Sequence, residues 1–137
     1  MPTVIANWQQ DMVYHAEVPG GSLALDAGED FGGTGGGVRS KALMLTALAG
    51  CTGMDVASLI KKMRLTVNAV KIEVSAELTD EHPKIYKDVR VKYHFKTQDD
   101  IDEKLEKIVS KSFDQYCGVI EMFKQFSDVS KEIIIER

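Results

Sequence analysis

The sequence has few of the residues that usually form metal sites or disulfide frameworks, with two cysteines and three histidines in 137 residues. Cys51 and Cys117 lie 66 positions apart and form neither a CxxC pair nor a zinc-ligand spacing. The histidines stand apart from each other and from the cysteines, so we expect no metal site. A net charge of -4 disfavours nucleic acid as the main partner, because phosphate binding needs a basic face.

Long uncharged hydrophobic runs are also missing. No stretch of about 18 apolar residues is free of charge, so the sequence predicts no membrane span. The N-terminus, MPTVIANWQQD, has neither the basic nor the apolar region of a secretory signal. We therefore expect a cytoplasmic protein, and in that reducing compartment a transient disulfide is commoner than a permanent one.

The length is typical of one domain, and we find no internal repeat, low-complexity tract or linker. The sequence thus predicts a single domain over residues 1–137. Six glycines between Gly28 and Gly37 predict a mobile loop, because glycine-rich backbone is costly to order. This loop matches neither GxxxxGK[ST] nor GxGxxG, so its pattern does not favour nucleotide binding.

Hydrophobic periodicity predicts an α+β domain in which helices pack on a mostly antiparallel sheet. The stretch KALMLTALAG is apolar almost all round, which predicts a central helix buried on every side. The predicted elements are short strands within 3–26, a helix over 41–64, paired strands over 70–79 and 85–96, helices over 99–113 and 113–126, and a strand over 131–137.

Cys51 admits three interpretations: a buried packing residue, a redox nucleophile, or half of a disulfide. Free cysteine is often buried, which favours packing. Gly50 and Gly53 bracket it, however, and indicate either close approach of another backbone or a helix break. A helix N-terminus at such a break would lower the thiol pKa, whereas Asp55, one turn on, would raise it. Two packed helices can bring Cys51 and Cys117 within the roughly 4.4–6.8 Å Cα separation of a disulfide.

Three segments together resemble the OsmC/Ohr family of osmotically induced and organic hydroperoxide resistance proteins, and its OsmC-like branch in particular. They are LMLTALAGCTGMDVASLIKKMR, HPKIYKDVRVKYHF and KIVSKSFDQYCGVIEMF. The resemblance covers nearly the whole chain in the family's order. It implies the OsmC-like fold, an intertwined homodimer of antiparallel sheets with two central cysteine-bearing helices.

The resemblance also implies thiol-dependent reduction of organic hydroperoxides, with Cys51 and Cys117 as the catalytic residues. Cys51 would attack the peroxide, and Cys117 would resolve the resulting sulfenic acid into a disulfide. An external dithiol would then reduce the disulfide, with no metal or bound cofactor. The alternative is a non-catalytic OsmC-like protein that binds a small hydrophobic ligand or senses redox state.

The sequence departs from the peroxidase pattern just before Cys51. Hydroperoxide-reducing members carry a glutamate, usually beside a proline, that holds an arginine near the thiolate, whereas this region reads VRSKAL. The first arginine in the chain is Arg39. Either Arg39, or Glu29 or Asp30 from the glycine-rich loop, remains a candidate replacement.

Overall fold

The computed structural model describes all 137 residues, Met1–Arg137. The chain forms two compact units, Met1–Met44 and Leu45–Arg137, each with one three-stranded sheet. Helices and strands follow each other in the predicted order, and the α+β class is confirmed. The single domain over residues 1–137 stays a prediction.

The first unit is an antiparallel meander of three strands, in the order β1-β2-β3. Its strands are β1 (Ile5–Gln10), β2 (Val13–Val18) and β3 (Gly21–Leu25). Gly20 turns the chain between β2 and β3 with φ +94°, a backbone conformation that glycine adopts without steric cost. The predicted short strands within residues 3–26 are therefore present.

The glycine-rich loop differs from the prediction, because the buried carboxylate of Asp26 organises it. That carboxylate accepts backbone hydrogen bonds from Ala27 at 2.8 Å, Thr34 at 2.9 Å and Gly36 at 2.9 Å. Gly37 allows the loop to approach β3 closely, since a Cβ there would lie 2.5 Å from the Ala24 carbonyl carbon. The glycines thus serve donor alignment and close packing, which composition alone does not indicate.

The second unit is a mixed sheet whose core side chains come from both its strands and its helices. Its elements are α1 (Ala42–Lys62, whose first turn lies in the first unit), β4 (Ala69–Leu78), β5 (Tyr86–Lys96), α2 (Asp102–Lys111), a π-helical turn (Ser112–Tyr116), α3 (Gly118–Lys124) and β6 (Asp128–Glu136). The central strand β5 pairs antiparallel with β4 and parallel with β6. A parallel pair needs a long crossover connection, and α2 and α3 supply it.

Strand β5 supplies the centre of the core through strict alternation of its side chains. Val89, Val91, Tyr93 and Phe95 are at most 1% exposed, whereas the residues between them reach the surface or its edge. The fully buried side chains that join them from α2 and α3 are Leu105, Ile108, Val109 and Ile120. The period-two pattern in the sequence predicts this arrangement, and the structure confirms it.

Helix α1 differs from its prediction of burial on every side. Within the chain it buries one stripe, Leu48, Thr52 and Val56, at four-residue spacing. Met44 and Met54 are 45% and 74% exposed. The helix is also unbroken across both of its glycines, so the predicted helix break is wrong.

The apolar composition of α1 has a second consequence. Its length of 21 residues and mean hydropathy of 1.6 suffice for a helix that crosses a membrane. Core helices of soluble proteins meet the same criterion, and Asp55 is a charge within its apolar stretch. The exposed apolar residues of α1 therefore form a surface that needs either a protein partner or a membrane to cover it.

Asp26→Asn should loosen the glycine-rich loop and make the stability of the loop less dependent on pH in acid. Backbone hydrogen bonds from Gly36 and Thr34 lower the pKa of Asp26 below its ordinary 3.8. The charged carboxylate therefore contributes stability above that value, and the contribution is lost as the pH falls through the lower, folded-state pKa. Asparagine has one acceptor oxygen instead of two, so one set of donors loses its partner.

Hydrogen exchange read by mass spectrometry should show faster exchange over residues 27–38 in Asp26→Asn at neutral pH. The difference from wild type should shrink only as the pH falls below the ordinary 3.8 and through the lower, folded-state pKa of Asp26. Asp30→Asn, a matched change at an exposed carboxylate of the same loop, should leave exchange unaltered. Equal exchange in wild type and Asp26→Asn at neutral pH would contradict this account.

Candidate functional site

The fold brings the two cysteines together although 66 positions separate them in the sequence. The Cys51 side chain lies close enough to the Cys117 thiol to help raise its pKa, and both cysteines are free thiols. Their surroundings differ, since Cys51 is partly exposed and Cys117 is 4% exposed. The arrangement is a thiol pair with one accessible and one buried member.

Cys51 lies in the middle of α1 rather than at a helix terminus. It is the tenth of 21 residues in an unbroken helix, so the hypothesis that a helix N-terminus activates this thiol is wrong. The predicted close approach of another backbone is also wrong, because a Cβ at Gly53 would meet a side-chain atom of Ile72 on β4 at 3.4 Å, and a Cβ at Gly50 would meet nothing within 4 Å. The partner that the structure assigns to the Cys51 side chain is the thiol of Cys117.

Cys117 sits at a break between helices that the sequence did not indicate. Its backbone is extended, with φ -78° and ψ 103°, between the π-helical turn and α3. Its N–H donates to the Ser112 carbonyl at 2.9 Å, and its Sγ accepts from the Ile120 N–H at 3.5 Å. Burial disfavours the thiolate more than this N–H favours it, and raises the pKa of Cys117 to about 11. Cys117 is therefore a neutral thiol at neutral pH.

Two lysines anchor the turn that carries Cys117. The ammonium groups of Lys124 and Lys131 lie 4.6 and 4.8 Å from the centroid of the Phe113 ring. Both also approach the Asp114 carboxylate, at 3.9 and 3.8 Å. Lys124 further donates to the Phe113 carbonyl at 3.1 Å. These contacts tie the π-helical turn to α3 and β6, and so fix where the buried thiol stands.

A chain of buried hydroxyl groups lies next to the thiol pair. Thr52 Oγ1 is 2.7 Å from the Tyr93 hydroxyl and 2.7 Å from Ser112 Oγ, and all three residues are fully buried. Ser112 Oγ donates to Asp55 Oδ2 at 2.8 Å. We call Tyr93, Thr52 and Ser112 the hydroxyl chain. Leaving one of these groups without a partner would cost about 1–3 kcal/mol.

Proton counting gives the hydroxyl chain a direction. A hydroxyl has one proton to donate, and the Asp55 carboxylate only accepts. Ser112 donates its one hydroxyl proton to Asp55, so it must accept the hydrogen bond that it shares with Thr52. Thr52 in turn accepts a hydrogen bond from Tyr93. Burial raises the pKa of Tyr93 to about 12, so its phenol stays protonated and acts as the first donor.

Sequence reasoning missed the hydroxyl chain, although it did single out Asp55. A usable signal was present in the patterns themselves. Thr52 is a polar residue in the middle of an apolar helical stripe, and Tyr93 occupies the buried face of an alternating strand. Hydroxyls on predicted core faces need partners, which is a reason to search for them.

The candidate activating groups lie in the first unit. Arg39 donates to the Gly37 carbonyl at 3.1 Å, and its charge helps to lower the pKa of Asp26. Glu29 and Asp30 are exposed in a short 3-10 helix. The described residues contain no group of three or more His, Cys, Asp or Glu side chains placed to hold a metal ion.

The same unit contains a cavity of about 780 Å³ with a largely apolar lining. Met12, Tyr14, Leu25 and Phe31 contribute apolar surface. The polar side chains at its wall are Asp26, Arg39, Ser40 and Lys41. Such a cavity has the size and character of a small-molecule site.

Comparison with known proteins shows which family the chain is similar to. The model of the OsmC-like protein family matches residues 33–131, which include both cysteines. Protein YhfA of Escherichia coli K12 is 24% identical over 88 residues, covering 64% of this chain and 66% of YhfA, just under two thirds.

Solved structures share the fold over almost the whole chain. A hypothetical protein from Aquifex aeolicus has a TM-score of 0.81 and 25% identity, over 100% of this chain and 98% of that one. An organic hydroperoxide resistance protein OsmC from Legionella pneumophila has a TM-score of 0.73 and 20% identity, over 98% and 96% of the two chains.

Cys117 should alkylate slowly at neutral pH and faster as the pH rises. Its raised pKa of about 11 means that the reactive thiolate fraction grows about tenfold per pH unit below that value. Iodoacetamide labelling of reduced protein, followed by peptide mass spectrometry between about pH 7 and pH 10, measures this rate. Labelling in guanidinium chloride is the control and should remove the delay. Rapid labelling of folded Cys117 at pH 7 would show that burial does not suppress its ionisation.

Proposed function

Because the chain belongs to the OsmC-like protein family, we propose that it is a thiol-dependent peroxidase that reduces organic hydroperoxides through Cys51 and Cys117. The observation that carries this proposal is the proximity of two free thiols from distant parts of the chain. The solved OsmC relative from Legionella pneumophila is named an organic hydroperoxide resistance protein, which supports the substrate class.

The unequal burial of the two thiols supports their separate roles. A substrate reaches the partly exposed Cys51 first, whereas Cys117 is shielded and protonated. The Cys51 thiolate attacks one peroxide oxygen, so that an S–O bond forms, the O–O bond breaks, and the alkoxide takes up a proton. The products are an alcohol and a Cys51 sulfenic acid.

Cys117 then resolves the sulfenic acid. Its sulfur attacks the Cys51 sulfur, the S–O bond breaks, and the hydroxide leaves as water with the Cys117 proton. An external dithiol reduces the disulfide by exchange and restores both thiols. Dithiol reductants are kept reduced in the cytoplasm, which is the compartment we propose.

We also propose that the active form is a homodimer in which a second copy covers the apolar side of α1. The helix buries only three of its residues within the chain and leaves Met54 74% exposed. Exposed apolar surface of this extent on a helix marks an interface. The occupant is a second copy because the OsmC/Ohr family, to which the chain belongs, forms intertwined dimers.

A second candidate function is the binding of a small apolar molecule without catalysis. The observation that favours it is the 780 Å³ cavity of the first unit, whose lining is apolar with an arginine and a lysine at the wall. A ligand with an apolar body and an anionic group suits this lining. A binding protein of this kind needs no Cys51 chemistry, so Cys51→Ser would retain its ligand.

One equivalent of an organic hydroperoxide should convert the reduced protein into a Cys51–Cys117 disulfide. Mass spectrometry over time measures both the loss of free thiols and the new cross-link. Cys117→Ser should still consume one equivalent and accumulate a sulfenic acid that a dimedone reagent traps. Cys51→Ser should consume almost none, a loss of at least about 100-fold in rate. Thiols that stay intact for minutes in wild type would contradict the peroxidase and favour the binding protein.

Light scattering coupled to gel filtration should give twice the 15.2 kDa mass of one chain. Met54→Asp places a charge on the exposed side of α1 and should shift the protein toward the monomer. Glu103→Gln, an exposed change on α2, serves as the control and should leave the mass unaltered. A monomeric wild-type protein would contradict the proposed homodimer. Flotation of that monomer with lipid vesicles would identify a membrane as the partner of α1.

A further inference from the structure

We propose that Lys124 is a positioning residue for Cys117. Its ammonium group donates to the backbone carbonyl of Phe113, and so holds the π-helical register that places the buried thiol. The inference rests on the proposed disulfide chemistry of Cys51 and Cys117, and extends it by naming a residue on which the resolving step depends.

The backbone hydrogen bonds that lead into Cys117 follow a π-helical register. The Cys117 N–H donates to the carbonyl of Ser112, five residues back, at 2.9 Å. An α-helix would pair the same N–H with the carbonyl of Phe113, four residues back. Single π-helical turns are rare and often lie at functional sites. The extra residue in the turn changes the direction in which the next residue, Cys117, points.

Lys124 takes the place that the Cys117 N–H would have in an α-helical register. From the end of α3, its Nζ donates to the Phe113 carbonyl at 3.1 Å. A partly buried carbonyl needs a hydrogen-bond partner, and the ammonium group supplies one. Loss of Lys124 would therefore favour return to the α-helical register, in which the Cys117 N–H becomes the partner of this carbonyl.

The hydrogen bond from Lys124 also spans the break in the helix at Cys117. Phe113 lies in the π-helical turn before this extended residue, and Lys124 ends α3 after it. The Cys117 sulfur is itself fixed to α3, because it accepts from the Ile120 N–H at 3.5 Å. The hydrogen bond therefore ties α3, with the thiol at its N-terminus, to the turn that precedes it.

The carbonyl that the Cys117 N–H does use is fixed to helix α1, on which the other thiol lies. The side chain of Ser112 donates to Asp55 at 2.8 Å and lies 2.7 Å from the Thr52 hydroxyl, and both partners are on α1. Ser112 thus holds α1 through its side chain and Cys117 through its carbonyl. The π-helical register fixes the Cys117 backbone relative to α1, and Lys124 maintains that register.

Lys131 offers a matched comparison within the same cluster. The ammonium groups of Lys124 and Lys131 lie 4.6 and 4.8 Å from the centroid of the Phe113 ring. They approach the Asp114 carboxylate at 3.9 and 3.8 Å. The hydrogen bond to the Phe113 carbonyl comes from Lys124. Replacement of either lysine by methionine therefore removes the same charge and similar contacts, but the two variants differ in that hydrogen bond.

A thiol–disulfide assay measures the resolving step without any hydroperoxide. One equivalent of Ellman's reagent reacts first with the partly exposed Cys51, which releases one thionitrobenzoate and leaves the other in a mixed disulfide. The Cys117 sulfur then attacks the Cys51 sulfur. The S–H proton passes to the buffer, the S–S bond between the cysteines forms, and the second thionitrobenzoate leaves as a thiolate. Stopped-flow absorbance gives the rates of both releases.

Lys124→Met should slow the second release by about tenfold or more, because misplacement of a reacting group by about 1 Å is enough for such a loss. The first release, which depends on Cys51, should keep its rate. Lys124→Arg should restore the second release to near the wild-type rate, since a guanidinium group also has N–H donors for the Phe113 carbonyl.

Lys131→Met should slow the second release by no more than about threefold, because a partly exposed ion pair contributes little. Lys107→Met removes an exposed lysine from α2 and should change neither release. Circular dichroism checks that each variant folds, and Lys124→Ala carries the test if Lys124→Met does not. Equal slowing by Lys124→Met and Lys131→Met would overturn the positioning role, as would failure of Lys124→Arg to restore the rate.

The pH profile separates an effect on position from an effect on charge. The second release should speed up about tenfold per unit from about pH 7 to pH 9, because the Cys117 thiolate forms below its pKa of about 11. Lys124→Met should be slower at every pH with the same slope. A profile displaced along the pH axis would overturn the positioning role, since the ammonium group would then act on the ionisation of Cys117.

Failure of the peroxidase is a separate result. If hydroperoxide leaves the thiols intact while Lys124→Met slows the second release and Lys131→Met does not, the positioning role stands and the substrate class is wrong. The absence of a second release in wild type would overturn the positioning role, since no disulfide would then form between the two cysteines.

Discussion

The hydroxyl of Thr52 is the junction on which the arrangement of the site depends. Its two 2.7 Å hydrogen bonds join α1 to the central strand through Tyr93 and to the π-helical turn through Ser112. Cys51 is the residue next to Thr52, and the Ser112 carbonyl holds the backbone N–H of Cys117. The two thiols therefore meet because one buried polar contact joins the segments that carry them. An apolar residue in place of Thr52 would pack on the sheet but leave the buried Tyr93 hydroxyl without its partner, whereas Ser112 would keep its hydrogen bond to Asp55.

The same burial that joins these segments makes the two thiols chemically unequal. Cys117 accepts a hydrogen bond from the Ile120 N–H, which favours the thiolate, yet its desolvation is the larger effect and keeps it protonated. Cys51 stays partly open on the neighbouring helix. A pair of this kind separates a member that meets a substrate from a member that acts afterwards.

In the first unit, too, a buried polar group holds separate segments together through hydrogen bonds, and there the group is a carboxylate. Asp26 gathers backbone donors from the glycine-rich loop, and the glycines let the loop approach β3. The glycine content of this loop predicts mobility, because glycine backbone loses much conformational entropy when it is ordered. Composition does not show that the Asp26 carboxylate offsets this cost through its hydrogen bonds. Helix α1 shows the converse case. Its composition predicts burial all round, but a single chain offers it one surface to pack on, and so Met44 and Met54 remain exposed.

Local periodicity in the sequence by itself determined the elements and their order, since alternation in β4 and β5 and the apolar stripe of α2 depend only on neighbouring residues. The three cysteine- and strand-bearing segments also determined the family. Tertiary structure alone decided the parallel pairing of β6, the break at Cys117 and the contact between the thiols. It likewise decided the hydroxyl chain, whose members Tyr93 and Ser112 lie 41 and 60 positions from Thr52. Such contacts depend on which side chains meet after the chain has folded, and no local pattern records the distance between them.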